Sequence, residues 1–279
     1  VMGAASGEAF SNTTGYNAAD PASSGTTISA TDQSENAVAS AIKVDTAATY
    51  TVPDTVTRAE ATAIGKQSAR ALGVFVQGSA GNRLTLDSLD ISSKAITENG
   101  KSISYGILSD KSSSVSVNKG TITASSQSKN GLGECVGAVS NNNSSAVLGV
   151  NSIISSSESH QHTAEPKTVG AQASGRSTLS MTSDKVTVKV SATHNGNVFS
   201  RKVNGIYGEG NSTLTMNDAD ISVHERNSAP EKSGAAGIHL FTASTLTMKN
   251  GTIRVTTIDP EGTFAGSAVG IVTSATSGR

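Results

Sequence analysis

Two imidazoles and two carboxylates crowd into one short polar stretch, His160-Gln161-His162 with Glu158 and Glu165. An H-x-H pair in extended chain projects both rings to one side, so His160 and His162 are the candidate ligands for Zn or Cu. No third anchored ligand is evident in the sequence, and the expectation is a solvated polar loop with no metal and no cofactor. Cys135 would need a partner His and a lowered pKa to act as a nucleophile, and no spacing supplies one. It reads as a small apolar filler. As the only cysteine, it also has no partner for an internal disulfide. The paired carboxylates Asp87 and Asp90, Asp218 and Asp220, with Asp184, are the residue types that acid/base cleavage of a polysaccharide requires. They sit between apolar pairs where Asp and Asn make turns, and the chain has no Trp and 3% aromatic residues for a sugar-stacking cleft. No catalytic residue is assigned.

These residues must be positioned by something, and the sequence shows what. A phrase recurs every 31 to 35 residues. Its clearest copies are Ser212-Thr213-Leu214-Thr215-Met216 leading to Ile221 and Val223, and Ser244-Thr245-Leu246-Thr247-Met248 leading to Ile253 and Val255. Earlier copies align as Leu84, Leu86, Ile91; Val115, Val117, Ile122; Ala146, Leu148, Ile153; and Leu179, Met181, Val186. A second marker precedes each: Gly73-Val74, Gly106-Ile107, Gly137-Ala138, Gly170-Ala171, Gly205-Ile206, Gly237-Ile238 and Gly270-Ile271. Two markers in one phase identify a repeat architecture.

Within each copy apolar residues alternate with Ser, Thr, Asp or Lys, the period of a strand with one buried face. Pairs such as Tyr105 and Ile107, or Val136 and Ala138, flank the glycine on one side by that alternation, so the glycine is expected to point outward. No single unit has enough apolar surface to offset its conformational entropy. Winding the units as stacked coils buries the apolar residues in ladders. The expected fold is all-β, a right-handed parallel β-helix of about seven coils over residues 41–279, with residues 1–40 as an irregular first coil or cap. The chain is expected to stop in mid-coil, as a fragment of a longer rod. The polar spacers Ser92 to Ser104, Ser125 to Glu134, Ser156 to Thr168, Ser191 to Lys202 and His224 to Gly234 are expected to leave the rod as loops. The alanine-rich stretch Arg58 to Leu72 could form a short helix.

Units such as residues 212–223, preceded by Gly-Ile-Tyr, resemble the passenger domains of bacterial type V autotransporters, the pertactin-like β-helices. The resemblance covers roughly residues 41–279. It implies a secretory signal upstream, an outer-membrane barrel downstream and display at the bacterial cell surface. It also implies adhesion or self-association as the function of a bare rod, with a host-cell or matrix receptor or a glycan as partner. Protease members of that family carry a Gly-Asp-Ser-Gly type nucleophile, which the Ser-Gly pairs here do not match. The binding-face candidates are an outward hydroxyl row, Thr85, Ser116, Ser180, Thr215 and Thr247, interrupted by Val147, and the glycine row, Gly106, Gly137, Gly170, Gly205 and Gly237. A carbohydrate-cleaving β-helix enzyme and an ice-binding face are the alternatives. Net charge is −1, which gives no electrostatic case for a nucleic-acid partner, and no apolar run is long enough to span a membrane.

Overall fold

The computed structural model describes residues 27–44, 49–52, 54–78, 82–160, 166–195, 202–229, 234–263 and 266–274. The strands are β1 (Thr27–Asp32), β2 (Asn36–Val44), β3 (Thr49–Thr51), β4 (Arg58–Gly65), β5 (Ser68–Gln77), β6 (Arg83–Asp110), β7 (Ser114–Ser140) and β8 (Ser145–Leu148). They continue as β9 (Ser152–His160), β10 (Lys167–Ala173), β11 (Thr178–Asn195), β12 (Lys202–Gly208), β13 (Thr213–Asn227), β14 (Gly234–Phe241), β15 (Thr245–Ile258) and β16 (Ser267–Ser274). The pairings between successive coils are parallel, and the chain winds a β-solenoid of about seven turns. None of the described residues forms a helix long and apolar enough to cross a membrane.

Each coil has three walls. The first carries the Leu-x-Met phrase, the second the Ile-x-Val phrase, and the third the glycine. Register confirms the stacking residue by residue: Leu179, Leu214 and Leu246 are successive Cα partners, as are Met181, Met216 and Met248. On the second wall the sequence of partners is Ile28, Ala59, Ile91, Ile122, Ile153, Val188, Ile221 and Ile253. Burying each of these large side chains stabilises by ~1.5 to 3 kcal/mol, and the ladders form one continuous core along the axis. The third apolar position of the fourth copy is therefore Val188, not Val186. Met181 pairs with Met216 while Lys185 pairs with Asp218, so two extra residues bulge there. The Ser183 hydroxyl donates to the Val150 carbonyl at 2.8 Å, and the Asn217 amide donates to the Ser183 carbonyl at 3.1 Å, tying the bulge to both neighbours.

Several expectations are corrected. The stretch Arg58 to Leu72 is two strands joined by a bend at Lys66 and Gln67, with Ala59, Ala61 and Ala63 buried and alternating with Arg58, Glu60 and Thr62. Ladder pairing with β1 and β6 overrides alanine's helical propensity. The stack also begins earlier than residue 41, because β1 and the start of β2 already pair in repeat register with β4 and β5. The spacers are not loops where they are described. β6 runs unbroken through Ser92 to Ser104 and β7 through Ser125 to Glu134, and β9, β11 and β13 extend to His160, Asn195 and Asn227. Residues 161–165, 196–201 and 230–233 of those spacers lie outside the described residues.

Those spacer strands line a polar interior. Ser93, Thr97, Ser102, Ser104, Ser128 and Ser159 are buried. Their hydroxyls find partners inside: Ser93 Oγ and Ser104 Oγ lie 2.7 Å apart, and Ser128 Oγ donates to the Gly100 carbonyl at 2.9 Å. The serine that opens each Leu-x-Met phrase has its own task. The backbone N–H of Ser113 donates to Ser144 Oγ, that of Ser144 to Ser177 Oγ, and that of Ser212 to Ser244 Oγ, at 3.1 to 3.3 Å. Preceding turns hold Asn142, Asn143 and Asn211 at positive φ, where asparagine is tolerated.

Candidate functional site

At Gly73, Gly106, Gly137, Gly170, Gly205 and Gly237 two consecutive residues face inward. A Cβ on Gly106 would lie 2.3 Å from Ile122 Cγ2, on Gly137 2.3 Å from Ile153 Cγ2, and on Gly205 2.3 Å from Ile221 Cγ2. Gly170 meets Val188 Cγ1 at 2.3 Å and Gly237 meets Ile253 Cγ2 at 2.1 Å in the same way. The residue after each glycine, Ile107, Ala138, Ala171, Ile206 or Ile238, joins the main core as well. The glycine row is therefore buried against the Ile row, and the expected outward, bare stripe of Gly106, Gly137, Gly170, Gly205 and Gly237 does not exist. Glycine is required because the second wall's Ile approaches too closely for any Cβ.

Two inward residues in succession put an outward residue on each side of the bend. Tyr105 and Leu108 flank Gly106-Ile107, and Val136 and Val139 flank Gly137-Ala138. These outward residues lean together in a second apolar cluster, separate from the core, formed by Leu72, Leu108, Val136, Val139 and Val169 with Phe75, Tyr105 and Tyr207. The result is a trough running along the rod, its floor closed by its own side chains: Leu72, Val136 and Val169 are no more than 3% exposed. Its floor rows are Ser40, Leu72, Tyr105, Val136, Val169, Asn204, Ala236, Val269 and Lys43, Phe75, Leu108, Val139, Gln172, Tyr207, His239, Val272. Of the five aromatic residues in the described strands, Phe75, Tyr105, Tyr207 and Phe241 all lie on this outer face, and Tyr50 in β3 is the fifth.

The rim is charged. Lys101 Nζ lies 2.6 Å from Glu134, and the Tyr105 hydroxyl donates to Glu134 Oε1 at 2.8 Å. Burial alone would raise the Glu134 carboxyl. Its bond and charge pairing with Lys101, the Tyr105 hydroxyl and the nearby Lys167 together hold it below the ordinary carboxylate range. Burial, and then the Glu134 charge, push the Tyr105 hydroxyl well above its usual value, so it remains a donor. Farther along, Lys167 Nζ sits 5.9 Å from the Tyr207 ring centroid, the Tyr207 hydroxyl donates to Glu209 at 2.8 Å, and His239 meets the Tyr207 ring edge-on at 5.5 Å. Burial lowers the Lys167 ammonium while Glu134 and Glu209 oppose that shift. Asn204 is 1% exposed, yet neither its Nδ2 nor its Oδ1 has a hydrogen-bond partner, and Gln172 Oε1 is buried without one too.

The other candidates resolve differently. Thr85, Ser116, Val147, Ser180, Thr215 and Thr247 do stack in one outward row, and Thr215 donates to Ser180 at 2.9 Å. His160 Nε2 lies 2.8 Å from Glu158, whose other oxygen accepts from Gln127 at 2.9 Å. His162 and Glu165 lie outside the described residues, and among the described residues no group of three or more His, Cys, Asp and Glu could hold a metal ion. The paired carboxylates lie within strands β6 and β13, not in turns, and tie one coil to the next: Asp90 accepts from Thr121 Oγ1 at 2.8 Å, Asp220 from Thr252 Oγ1 at 2.8 Å, Asp87 from Asn118 and Asp218 from Asn250. Cys135 is fully buried, and burial pushes its thiol up to about 12.

Sequence reasoning missed the trough. The signal was present as Phe75, Tyr207 and His239 two places after the glycine and Tyr105 one place before it, but it shows only when those offsets are read as one face. No family model, curated protein or solved structure matches the chain.

Proposed function

We propose that the chain is a non-enzymatic binding rod exposed outside the cell, an adhesin or self-associating stalk of the autotransporter-passenger kind, whose ligand face is the trough on the glycine wall. The observation that carries this reading is the concentration of Phe75, Tyr105, Tyr207 and Phe241 on one outer face, beside the ion pair of Lys101 and Glu134. The solenoid gives such a face length without depth, the geometry that suits many weak contacts to an extended receptor or glycan. The carboxylates that a cleaving enzyme would use are engaged instead in holding Thr121, Asn118, Thr252 and Asn250 of the following coils.

Retention of beads coated with the purified chain on cultured cells, on extracellular-matrix films and on immobilised polysaccharide tests it. Wild-type beads are expected to be retained, Tyr207→Arg beads to be released, and Thr215→Lys beads, altered on the hydroxyl row, to behave as wild type. Equal retention of the Tyr207→Arg beads, or release of new reducing ends from the polysaccharide, would overturn the reading.

A further inference from the structure

We infer that the half of the trough between β10 and β14 is a saccharide subsite in which Asn204 reads a pair of adjacent hydroxyls on a neutral hexose unit stacked against Tyr207. The inference rests on the binding-rod reading and assigns its ligand. The first observation is the amide. A buried Asn with both polar atoms unpartnered is a costly thing to keep in a row that begins with Ser40 and otherwise carries Leu72, Tyr105, Val136, Val169, Ala236 and Val269. Val136 and Val169 show that valine fits this row without exposure. An amide offers one donor and one acceptor side by side, the complement of two vicinal hydroxyls of a sugar ring. Gln172 Oε1, on the opposite floor row one coil earlier, is a second unsatisfied acceptor facing the same trough.

The second observation is the ring. Tyr207 stands across the floor from Asn204 in the same coil, held by its hydroxyl bond to Glu209 and by the His239 edge contact, and it is only half-buried. A fixed aromatic face beside polar groups is the pairing that sugar recognition uses, the C–H face on the ring and the hydroxyls on the amide. The third observation is the cover. Lys167 starts on the rim of one coil, and its ammonium reaches to 5.9 Å from the Tyr207 ring centroid of the next. A lysine arm is flexible and water-soluble at its tip, so it closes the subsite when empty and swings outward at small cost when a ring enters. Lys167 and Glu209 place one charge of each sign at the two sides, which favours a neutral saccharide over an acidic one.

The test is saturation-transfer NMR and calorimetry of the whole chain with neutral hexose oligosaccharides, galactose- and glucose-based, and with their sialylated counterparts, on wild type, Asn204→Val and Lys189→Gln. Wild type is expected to bind a neutral oligosaccharide with transfer concentrated on one face of a ring, and the sialylated form more weakly. Asn204→Val is expected to lower affinity at least about tenfold while raising Tm by about 2 to 4 °C, since an unpaired amide gives way to the valine its neighbours already carry. Lys189→Gln, an exposed position on the outer side of the second wall, keeps wild-type affinity. No binding to any neutral oligosaccharide, or full affinity in Asn204→Val, would overturn the subsite. If cell or matrix retention of wild-type beads persists in either case, the binding rod stands and only its saccharide assignment falls.

Discussion

The two faces of the glycine wall are built from the same strands and obey opposite rules. On the inner face each coil repeats the last: a glycine meets a β-branched side chain of the second wall at 2.1 to 2.4 Å from where a Cβ would be, from Gly73 with Ile91 through Gly237 with Ile253. On the outer face the rows change character along the axis. Leu72, Phe75, Leu108, Val136 and Val139 close the lower trough with apolar contacts, whereas Gln172, Asn204, Tyr207 and His239 make the upper trough polar and aromatic. Uniformity on the inside is what stacking demands, because each residue is its neighbour's packing surface. Departure from uniformity on the outside has no such cause. It marks the part of the wall to which we assign the proposed ligand.

The inner rule can be broken at one point. Gly137→Ala places a methyl 2.3 Å from Ile153 Cγ2 and 2.6 Å from the Gly170 carbonyl, so Ile153 and the backbone must both shift. A loss of ~1 to 3 kcal/mol is expected from denaturant unfolding. Ile153→Ala alone is expected to cost ~2 to 5 kcal/mol by leaving a cavity. Together they should cost less than the sum by at least ~1 kcal/mol, because the molecule already contains the compensated pair. Ala41 occupies the position of Gly73, bracketed by the partners Ser40 with Leu72 and Ile42 with Val74, and Ala59 occupies that of Ile91. Two alanines there replace a glycine and an isoleucine, and both are fully buried. Strict additivity in the double variant would show that the two rows do not share one volume.

The interior is not uniform everywhere, and the exception gives the next largest effect. The row Thr97, Ser128, Ser159, His194, Asn227 is polar and buried, and His194 is its one titratable member. Neither ring nitrogen has a hydrogen-bond partner, Glu225 Oε1 lies 3.8 Å from Nε2, and burial pushes the imidazole down to about 4. The unfolded chain takes that proton near the ordinary value of 6.5, so it binds more protons than the fold between those limits. Stability therefore falls as pH drops from about 6.5 towards 4, by at most ~1.4 kcal/mol per pH unit. His194→Ser, which copies Ser159 one coil earlier, should flatten that limb in unfolding curves compared at about pH 7 and about pH 5. An unchanged slope would mean that His194 is not the group that titrates.

The repeat and its inward ladders were legible because Leu214 and Leu246, or Ile221 and Ile253, carry a large apolar side chain at a fixed phase. The spacers were not, because Ser93, Ser102 and Ser128 look like solvent-facing residues in sequence. Serine is little larger than alanine, and its hydroxyl can be satisfied inside by a carbonyl such as that of Gly100. The trough was hidden for a different reason. Strict alternation puts Tyr105 and Ile107 on one side of Gly106, but the bend turns Gly106 and Ile107 inward together, so Tyr105 faces out and pairs across the floor with Leu108. One local break in period two reverses the reading of every outward residue on that side of the glycine. Asn204 in particular reads as an ordinary polar residue until its burial is known.

The smallest effect separates the two halves of the outer face. Tyr105→Phe leaves the ring in its cluster with Leu72 and Leu108 and removes only the hydroxyl that donates to Glu134 at 2.8 Å. Glu134 keeps its contact with Lys101 at 2.6 Å and loses one of the influences that hold its carboxyl low, so the carboxyl should titrate at a higher pH than in wild type. The stability cost is expected to be ~1 kcal/mol, the net worth of one partly buried hydrogen bond. Backbone amide shifts should then move along Lys101, Glu134 and Lys167, which share that carboxylate, and leave Asn204 and His239 in place. Shifts that instead run the whole length of the trough would show the outer face to be one cooperative unit, and the division between a packing half and a recognition half would fail.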